Sequence, residues 1–482
     1  LIALIRIGIF GRGEEDFMLN YEFFSKTRIT APANYNRWLI APAALAIHLS
    51  IGQVYSFSVF NLPLSRLIGI TESAPQDWSL AALGWIFSTA IAFLGISAAL
   101  FGKWVEREGP RKAMFLAALF FSSGFLVSAL GVYTHQIVLL YLGYGVLGGM
   151  GLGIGYISPV STLMKWFPDR PGMATGLAIM GFGGGAIVGS PLGVALMDAY
   201  RTSESVGVWQ TFLTMAGLYL LVMMIGVALI RLPPSGWSPN SSVMPVGLKK
   251  MVATQPTAVD QAIRTPQFWL LWIVLCTNVT AGIGVLGQAS PMVQEMFKAT
   301  PAQGAAFVVL LSIFNLLGRF FWSSASDYLG RKNTYRIFFG LGMILYALIP
   351  TIGKAGNMLL FYFGFCIILS MYGGGFATIP SYLKDMFGNL HVGAIHGRLL
   401  TAWSVAGVLG PVLVNYLREY QISHGVAKAD AYSVTMYVMV GALAIGFVAN
   451  QRLRSVSSRY HYREPTEHAK PDLSQALRPA ST

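Results

Sequence analysis

Arg319 stands in the stretch Ile313–Lys332, IFNLLGRFFWSSASDYLGRK, whose first two-thirds are mostly apolar. A guanidinium stays charged at any physiological pH, and its planar fork matches a carboxylate through two parallel hydrogen bonds. Asp327 marks the end of the apolar run, eight residues further on. At about 1.5 Å per helical residue, Arg319 is therefore roughly 12 Å deep, near the middle of a hydrocarbon layer about 30 Å thick. Placing arginine there costs about 2.5–3.5 kcal/mol on insertion scales, so a counter-charge is required. A buried acid is one candidate, yet Asp198, Glu295, Asp385 and Glu419 all fall near the ends of apolar runs. Asn315, one helical turn before Arg319, offers polarity without charge. The pattern predicts an anion-binding site at Arg319, with Asn315 beside it, in which the missing counter-ion is the ligand.

One further group can do chemistry at depth. His48 is the only titratable residue well inside the first apolar run. It is either a proton relay or a neutral, hydrogen-bonded histidine. Enzymatic signatures are absent: there is no nucleotide-binding loop, His-Glu-x-x-His or nucleophile elbow. Ser381–Lys384 matches Ser-x-x-Lys, a pattern short enough to arise by chance. Cys276 and Cys366 sit in apolar runs without metal or disulfide spacing. No cofactor, metal or enzyme activity is expected.

The elements that must position these residues follow from composition. Of 482 residues, 54% are hydrophobic and 11% charged, with mean hydropathy +0.58. Soluble domains average about 25% charged residues. A net charge of +13 would suggest nucleic acid in a soluble protein. Here the basic residues fall mainly in alternate gaps between apolar runs, and no nucleic-acid partner is expected. Twelve runs are long enough to span a bilayer: Trp38–Leu62, Leu80–Gly102, Ala113–Val132, Ile137–Trp166, Met173–Met197, Val208–Arg231, Phe268–Met292, Ala305–Ala325, Tyr335–Ile352, Met358–Lys384, Gly397–Leu417 and Ala431–Asn450. The fold predicted is an all-α membrane protein of twelve helices in two six-helix halves. Residues 36–231 and 265–450 form the halves and residues 232–264 a linker rich in Pro and Ser. Residues 1–35 and 451–482 flank them, with either Met18 as the natural start or residues 1–17 as a disordered extension.

Lys103, Arg107, Arg111 and Lys112 read as one loop, between runs two and three, and Arg331, Lys332 and Arg336 as another, between runs eight and nine. Lys249 and Lys250 in the linker and Arg452, Arg454, Arg459 and Arg463 in the tail add to the same side. Arg66, Arg201 and Arg418 lie on the other, poorer side. The excess marks the cytoplasmic face and puts both termini there.

The two halves repeat. Glu106 and Asp327 are 221 residues apart, as are Pro159 and Pro380, while Pro191 and Pro411 are 220 apart. An internal duplication explains this offset, with the halves related by an axis along the membrane normal.

Gly102-x-x-x-Glu106-Arg107-x-Gly109-x-Arg111-Lys112, its second copy at Asp327, Gly330 and Arg331, and the glycine run Gly183–Gly189 before Pro191 resemble motifs of the major facilitator superfamily. "GQVYSFSVF", "KWFPDRPGMATGLAI", "RTPQFW" and "NLLGRFFWSSASDYLGRK" resemble the oxalate/formate antiporter family more narrowly. The resemblance implies transport of small carboxylates by alternating access. It makes Gly102, Glu106, Arg107, Gly109, Arg111, Asp327, Gly330 and Arg331 gating elements. The alternative for the charged ones is surface pairs worth under about 1 kcal/mol. In "LTAWSVAGVLG", Trp403 occupies the place of a lysine in that family's oxalate exchanger. One fixed cation balances one negative charge, which favours a monocarboxylate such as pyruvate, lactate or formate over oxalate. Trp403 then lines an apolar wall, or simply packs.

Tyr372 and Phe376 share a helix face, and their spacing from Trp403 is similar to that of the exchanger's aromatics. Tyr156 is the repeat partner of Phe376; Tyr55 and Gln53 belong to the first-run motif. Each either touches substrate or fills core. The partners expected are a small carboxylate, with or without a proton, and the lipid bilayer, with the chain acting as a monomer in a bacterial-type inner membrane. The alternatives are a dicarboxylate exchanger using Arg398 as a second cation, and a non-transporting sensor.

Overall fold

The computed structural model describes residues 22–239, 253, 255–286 and 288–462. Met18, Lys249, Lys250 and Arg463 lie outside the described residues. Twelve helices there are long and apolar enough to cross a membrane. They are α1 (Arg37–Ser56), α2 (Leu80–Glu108), α3 (Pro110–Tyr133), α4 (Ile137–Trp166), α5 (Pro171–Tyr200), α6 (Val208–Leu229), α7 (Pro266–Leu286), α8 (Ala302–Leu329), α9 (Arg331–Lys354), α10 (Met358–Phe387), α11 (Val392–Ser423) and α12 (Tyr432–Arg452). Among the described residues there is no β-sheet, only isolated bridges joining Thr30 to Leu232 and Thr257 to His461.

Helix ends differ from the apolar runs where charged residues continue a helix beyond the hydrocarbon. Lys103, Glu106 and Arg107 belong to the last turns of α2, and Arg111 and Lys112 to the first turn of α3. The expected loop is the single residue Gly109, at φ 96°. Its counterpart between α8 and α9 is Gly330, at φ 83°. Both positive φ values are open to glycine at little cost. Charged residues other than Asp are good helix formers, so hydropathy alone ends the run too early.

At the other end of the first run the difference reverses. α1 tightens to a 3-10 turn over Gly52–Ser56 and restarts as a short helix, Ser58–Leu64. A side chain at Gly52 would begin 2.2 Å from the Phe182 carbonyl oxygen, so α1 and α5 touch backbone to backbone there. Gln53 and Tyr55, two residues apart, lie on different faces of this segment, Gln53 against Tyr144 and Tyr55 against Phe182. The seventh run likewise stops at Leu286, and a separate helix covers Ala289–Phe297.

The offset between the halves recurs in the hydrogen bonds. Arg111 donates to the carbonyls of Ala228 (3.3 Å) and Ile230 (3.1 Å) at the end of α6. Lys332, 221 residues on, donates to those of Gln451 and Leu453 at the end of α12, both at 2.8 Å. The first six helices meet the last six through α5 against α8 and α10, and α11 against α2 and α4. Small residues make these crossings close: a Cβ on Gly102 would lie 2.9 Å from the Ala394 Cα, and one on Gly397 2.2 Å from the Ala98 carbonyl oxygen.

Candidate substrate site

Arg319 is fully buried in α8. Its Nε donates to Asn315 Oδ1 at 3.1 Å and its Nη1 to the Ile179 carbonyl of α5 at 3.2 Å. Its Nη2 has no hydrogen-bond partner. Among the described residues no carboxylate pairs with it, while eleven ion pairs form elsewhere. Three rings surround its guanidinium carbon: Phe376 at 5.4 Å, and Tyr55 and Phe182 at 5.9 Å. Such rings attract a cation through their quadrupoles but cannot neutralise it.

Gly183 makes this position accessible. A Cβ there would lie 2.8 Å from Arg319 Nε and 3.0 Å from its guanidinium carbon. We expect Gly183→Ala to push the guanidinium off its present site, since overpacking costs about 1–3 kcal/mol. Substrate half-saturation should rise about tenfold without loss of folded protein, as read by transport assay against melting temperature.

Around Arg319 the two sets of six helices build one aromatic chamber. Trp403 of α11 is fully buried and meets Phe376 (4.6 Å), Phe182 (5.5 Å) and Tyr156 (5.9 Å). Tyr156 also meets Phe376 at 5.6 Å and Phe182 at 5.4 Å. The hydroxyls of Tyr55 and Tyr156 and the Trp403 indole N–H are buried without partners. Buried polar groups are normally satisfied. A cluster of orphaned donors around an uncompensated guanidinium is a site built for an acceptor with negative charge.

The remaining predicted residues fall at different distances from this centre. Tyr372, on α10, packs against Gly282 of α7, within electrostatic range of Tyr55 and Arg319. Gln53 turns instead towards α4, where its Oε1 accepts from the Tyr144 hydroxyl at 3.0 Å. Arg398 is not in the chamber: it donates to the Ala394 carbonyl and lies 4.0 Å from Asp260 of the short helix Val259–Ala262. His48 stacks on Tyr156 at 5.3 Å. Its Nδ1 is 2.5 Å from the Ala178 carbonyl oxygen and its Nε2 3.1 Å from that of Tyr156.

Two residues join the chamber without having been singled out in the sequence. Phe182 touches Tyr55, Tyr156 and Trp403. The signal for it was one large side chain inside a glycine run. His396, in α11, lies 5.7 Å from the Tyr156 ring, and both its ring nitrogens are buried without partners.

The motif residues sit at one end of the bundle, where they cross between the two sets. Glu106 pairs with Lys165 at 2.9 Å and accepts the Gly393 N–H, in the first turn of α11, at 3.0 Å. Asp327 accepts the N–H groups of Gly172 (2.8 Å) and Met173 (2.9 Å), in the first turn of α5. Arg331 bridges Asp327 at 2.6 Å and Asp385 at 3.0 Å. Each motif carboxylate thus sits on the positive end of a helix from the opposite set. Arg107 is exposed and pairs with Glu108. Arg111 is buried, donating to the carbonyls of Phe23, Ala228 and Ile230.

Comparison with known proteins agrees with this architecture. The chain is 27% identical over 379 residues to the oxalate:formate antiporter of Oxalobacter formigenes, covering 78% of this chain and 83% of that one. It is 25% identical over 458 residues to apicoplast pyruvate carrier 1 of Toxoplasma gondii, covering 76% and 82%. The solved structure of the proton:xylose symporter XylE bound to 6-bromo-6-deoxy-D-glucose superposes with a TM-score of 0.64. It covers 89% of this chain and 95% of that one at 15% identity, a likeness of fold. Residues 29–411 match the family described as the Major Facilitator Superfamily, so the chain belongs to that superfamily and is a multi-pass secondary active transporter rather than an enzyme.

Proposed function

We propose that this transporter carries a small monocarboxylate such as pyruvate, lactate or formate, bound through its carboxylate to Arg319. One observation carries the reading: a fully buried arginine with a free Nη2 and no acidic partner among the described residues, ringed by orphaned donors. A carboxylate would take Nη2 and the Tyr55, Tyr156 or Trp403 donors. It would also cancel a buried charge that is costly while unpaired. Trp403, Phe182 and Phe376 leave apolar wall for a methyl or hydrogen substituent. With Arg398 engaged at the Ala394 carbonyl, a dianion would keep one charge unpaired. The relatives named as an oxalate:formate antiporter and a pyruvate carrier support small carboxylates as the class and the oxalate/formate antiporter family as the nearer kin.

In this reading residues 36–231 and 265–450 rock about the chamber, and the bonds of Glu106 and Asp327 to the opposite helix ends hold one side shut in one half of the cycle. Gly102, Gly109 and Gly330 keep those helix ends close, and Arg107, Arg111 and Arg331 supply the basic groups around them. The positive-inside excess makes that side cytoplasmic, with residues 1–35, the 232–264 linker and the 451–482 tail on the same side. The membrane is a bacterial-type plasma membrane. A monomer suffices, because one chain supplies every wall of the chamber. Transport runs by exchange or with a proton.

A ligand that binds only the folded state raises stability by about 2.7 kcal/mol at a hundred times its dissociation constant. Purified protein should therefore melt higher with pyruvate or lactate and unchanged with xylose or choline. Stabilisation by a neutral sugar and by no carboxylate would overturn the assignment.

A further inference from the structure

His48 contacts two backbone carbonyls, one through each ring nitrogen, from two different helices. A neutral imidazole carries one N–H, so it can satisfy only one of them and sets a lone pair against the other. An imidazolium satisfies both. The Ala178 carbonyl that it meets adjoins the Ile179 carbonyl that takes Arg319 Nη1. Consecutive peptide groups of α5 thus hold the fixed cation and the histidine side by side, within electrostatic range of each other.

We propose that His48 is the coupling-proton site of the transporter: its imidazolium is clamped between the Ala178 and Tyr156 carbonyls when an anion occupies Arg319, and it releases the proton when the anion leaves. The inference rests on the carboxylate reading of Arg319 and decides for proton linkage over simple exchange.

The groups facing His48 determine the coupling. Tyr156 of α4 stacks on its ring, Arg319 of α8 repels its charged form, and His396 of α11 lies within range. α5 contributes the Ala178 carbonyl and the edge of Phe182. α6 holds one titratable residue, Tyr219, which packs on Phe121 and Phe125 of α3. The titratable residues of α3 are Arg111, Lys112 and Tyr133, at its two ends. No carboxylate faces the ring among the described residues. Burial is the larger cost of charging the ring; the Arg319 cation adds to it, and a bound carboxylate offsets that added part. Anion and proton then each favour the other's binding by the same factor, as linkage requires. One anion and one proton enter the chamber together from one side and leave together on the other, so the loaded and empty carriers carry the same charge.

Two measurements on full-length protein test this. In proteoliposomes, an inward proton gradient should drive accumulation of labelled pyruvate with matching internal acidification. In His48→Gln the ratio of gradient-driven accumulation to pyruvate counterflow should fall at least tenfold. Independently of any substrate, nitrogen-15 histidine spectra, assigned by difference against His48→Gln, should show His48 holding its proton to higher pH in Arg319→Gln than in the parent. An unchanged ratio in His48→Gln, or identical His48 titration in parent and Arg319→Gln, would overturn the proposal. Failure of the carboxylate reading looks different: parent protein would show no pyruvate counterflow, while the spectra still report on His48.

Discussion

Arg319→Gln is expected to abolish saturable carboxylate uptake while leaving folded protein in the membrane. Removing one partner of a buried, hydrogen-bonded charge pair costs about 2–5 kcal/mol, which is at least about thirtyfold in affinity. Gln puts an amide N–H where Arg319 Nε now donates to Asn315 Oδ1, and it removes a buried cation that has no acidic partner among the described residues. Melting temperature should therefore hold or rise even as uptake vanishes, a combination that a purely structural arginine would not give. Arg319→Lys should fail nearly as badly, because an ammonium lacks the planar fork that holds Asn315, Ile179 and a ligand at once. Uptake in the Gln variant within threefold of the parent would remove Arg319 from the site.

Asp327→Asn is expected to loosen the motif end of the bundle. The carboxylate takes N–H groups of Gly172 and Met173 on its two oxygens and pairs with Arg331. An asparagine has one carbonyl oxygen; its amide would set a donor against one of those N–H groups. Arg331 would keep Asp385 and the Ser326 hydroxyl but lose its closest carboxylate. Breaking a buried pair by removing one partner costs about 3–5 kcal/mol, enough to shift a closed-to-open balance a hundredfold or more. The readout is maleimide labelling at Ser323→Cys, a buried position between α8 and α5, in a background lacking Cys276 and Cys366. The variant should label at least tenfold faster and transport at least tenfold more slowly. Labelling at the parent rate would mean that the Asp327 contacts are incidental to closure.

The fold was legible because its signals are local. A spanning helix is a run of apolar residues, and the repeat is a constant offset between Glu106 and Asp327. Arg319 stood out for the same reason, a charge where hydropathy forbids one. What stayed hidden depends on which helices meet. Nothing local in the sequence makes Gly52 touch the Phe182 carbonyl where α1 tightens, or sets Tyr55 against the Phe182 ring. His396 falls just before the eleventh apolar run, which opens at Gly397, and its burial beside Tyr156 depends on how α11 lies against α4. Phe182 carried no mark beyond its glycine neighbours. The ends of α2 and α8 were misplaced because hydropathy reports the bilayer edge, whereas the helices continue until Gly109 and Gly330.

The most direct test of a single-cation carboxylate chamber is counterflow in proteoliposomes. Vesicles loaded with unlabelled pyruvate should take up labelled pyruvate, with pyruvate, lactate and formate competing and oxalate failing to compete at equal concentration. Strong inhibition by oxalate would contradict the account, because a dianion would then find a second positive group beside Arg319 that a neutral wall of Trp403, Phe182 and Phe376 does not supply.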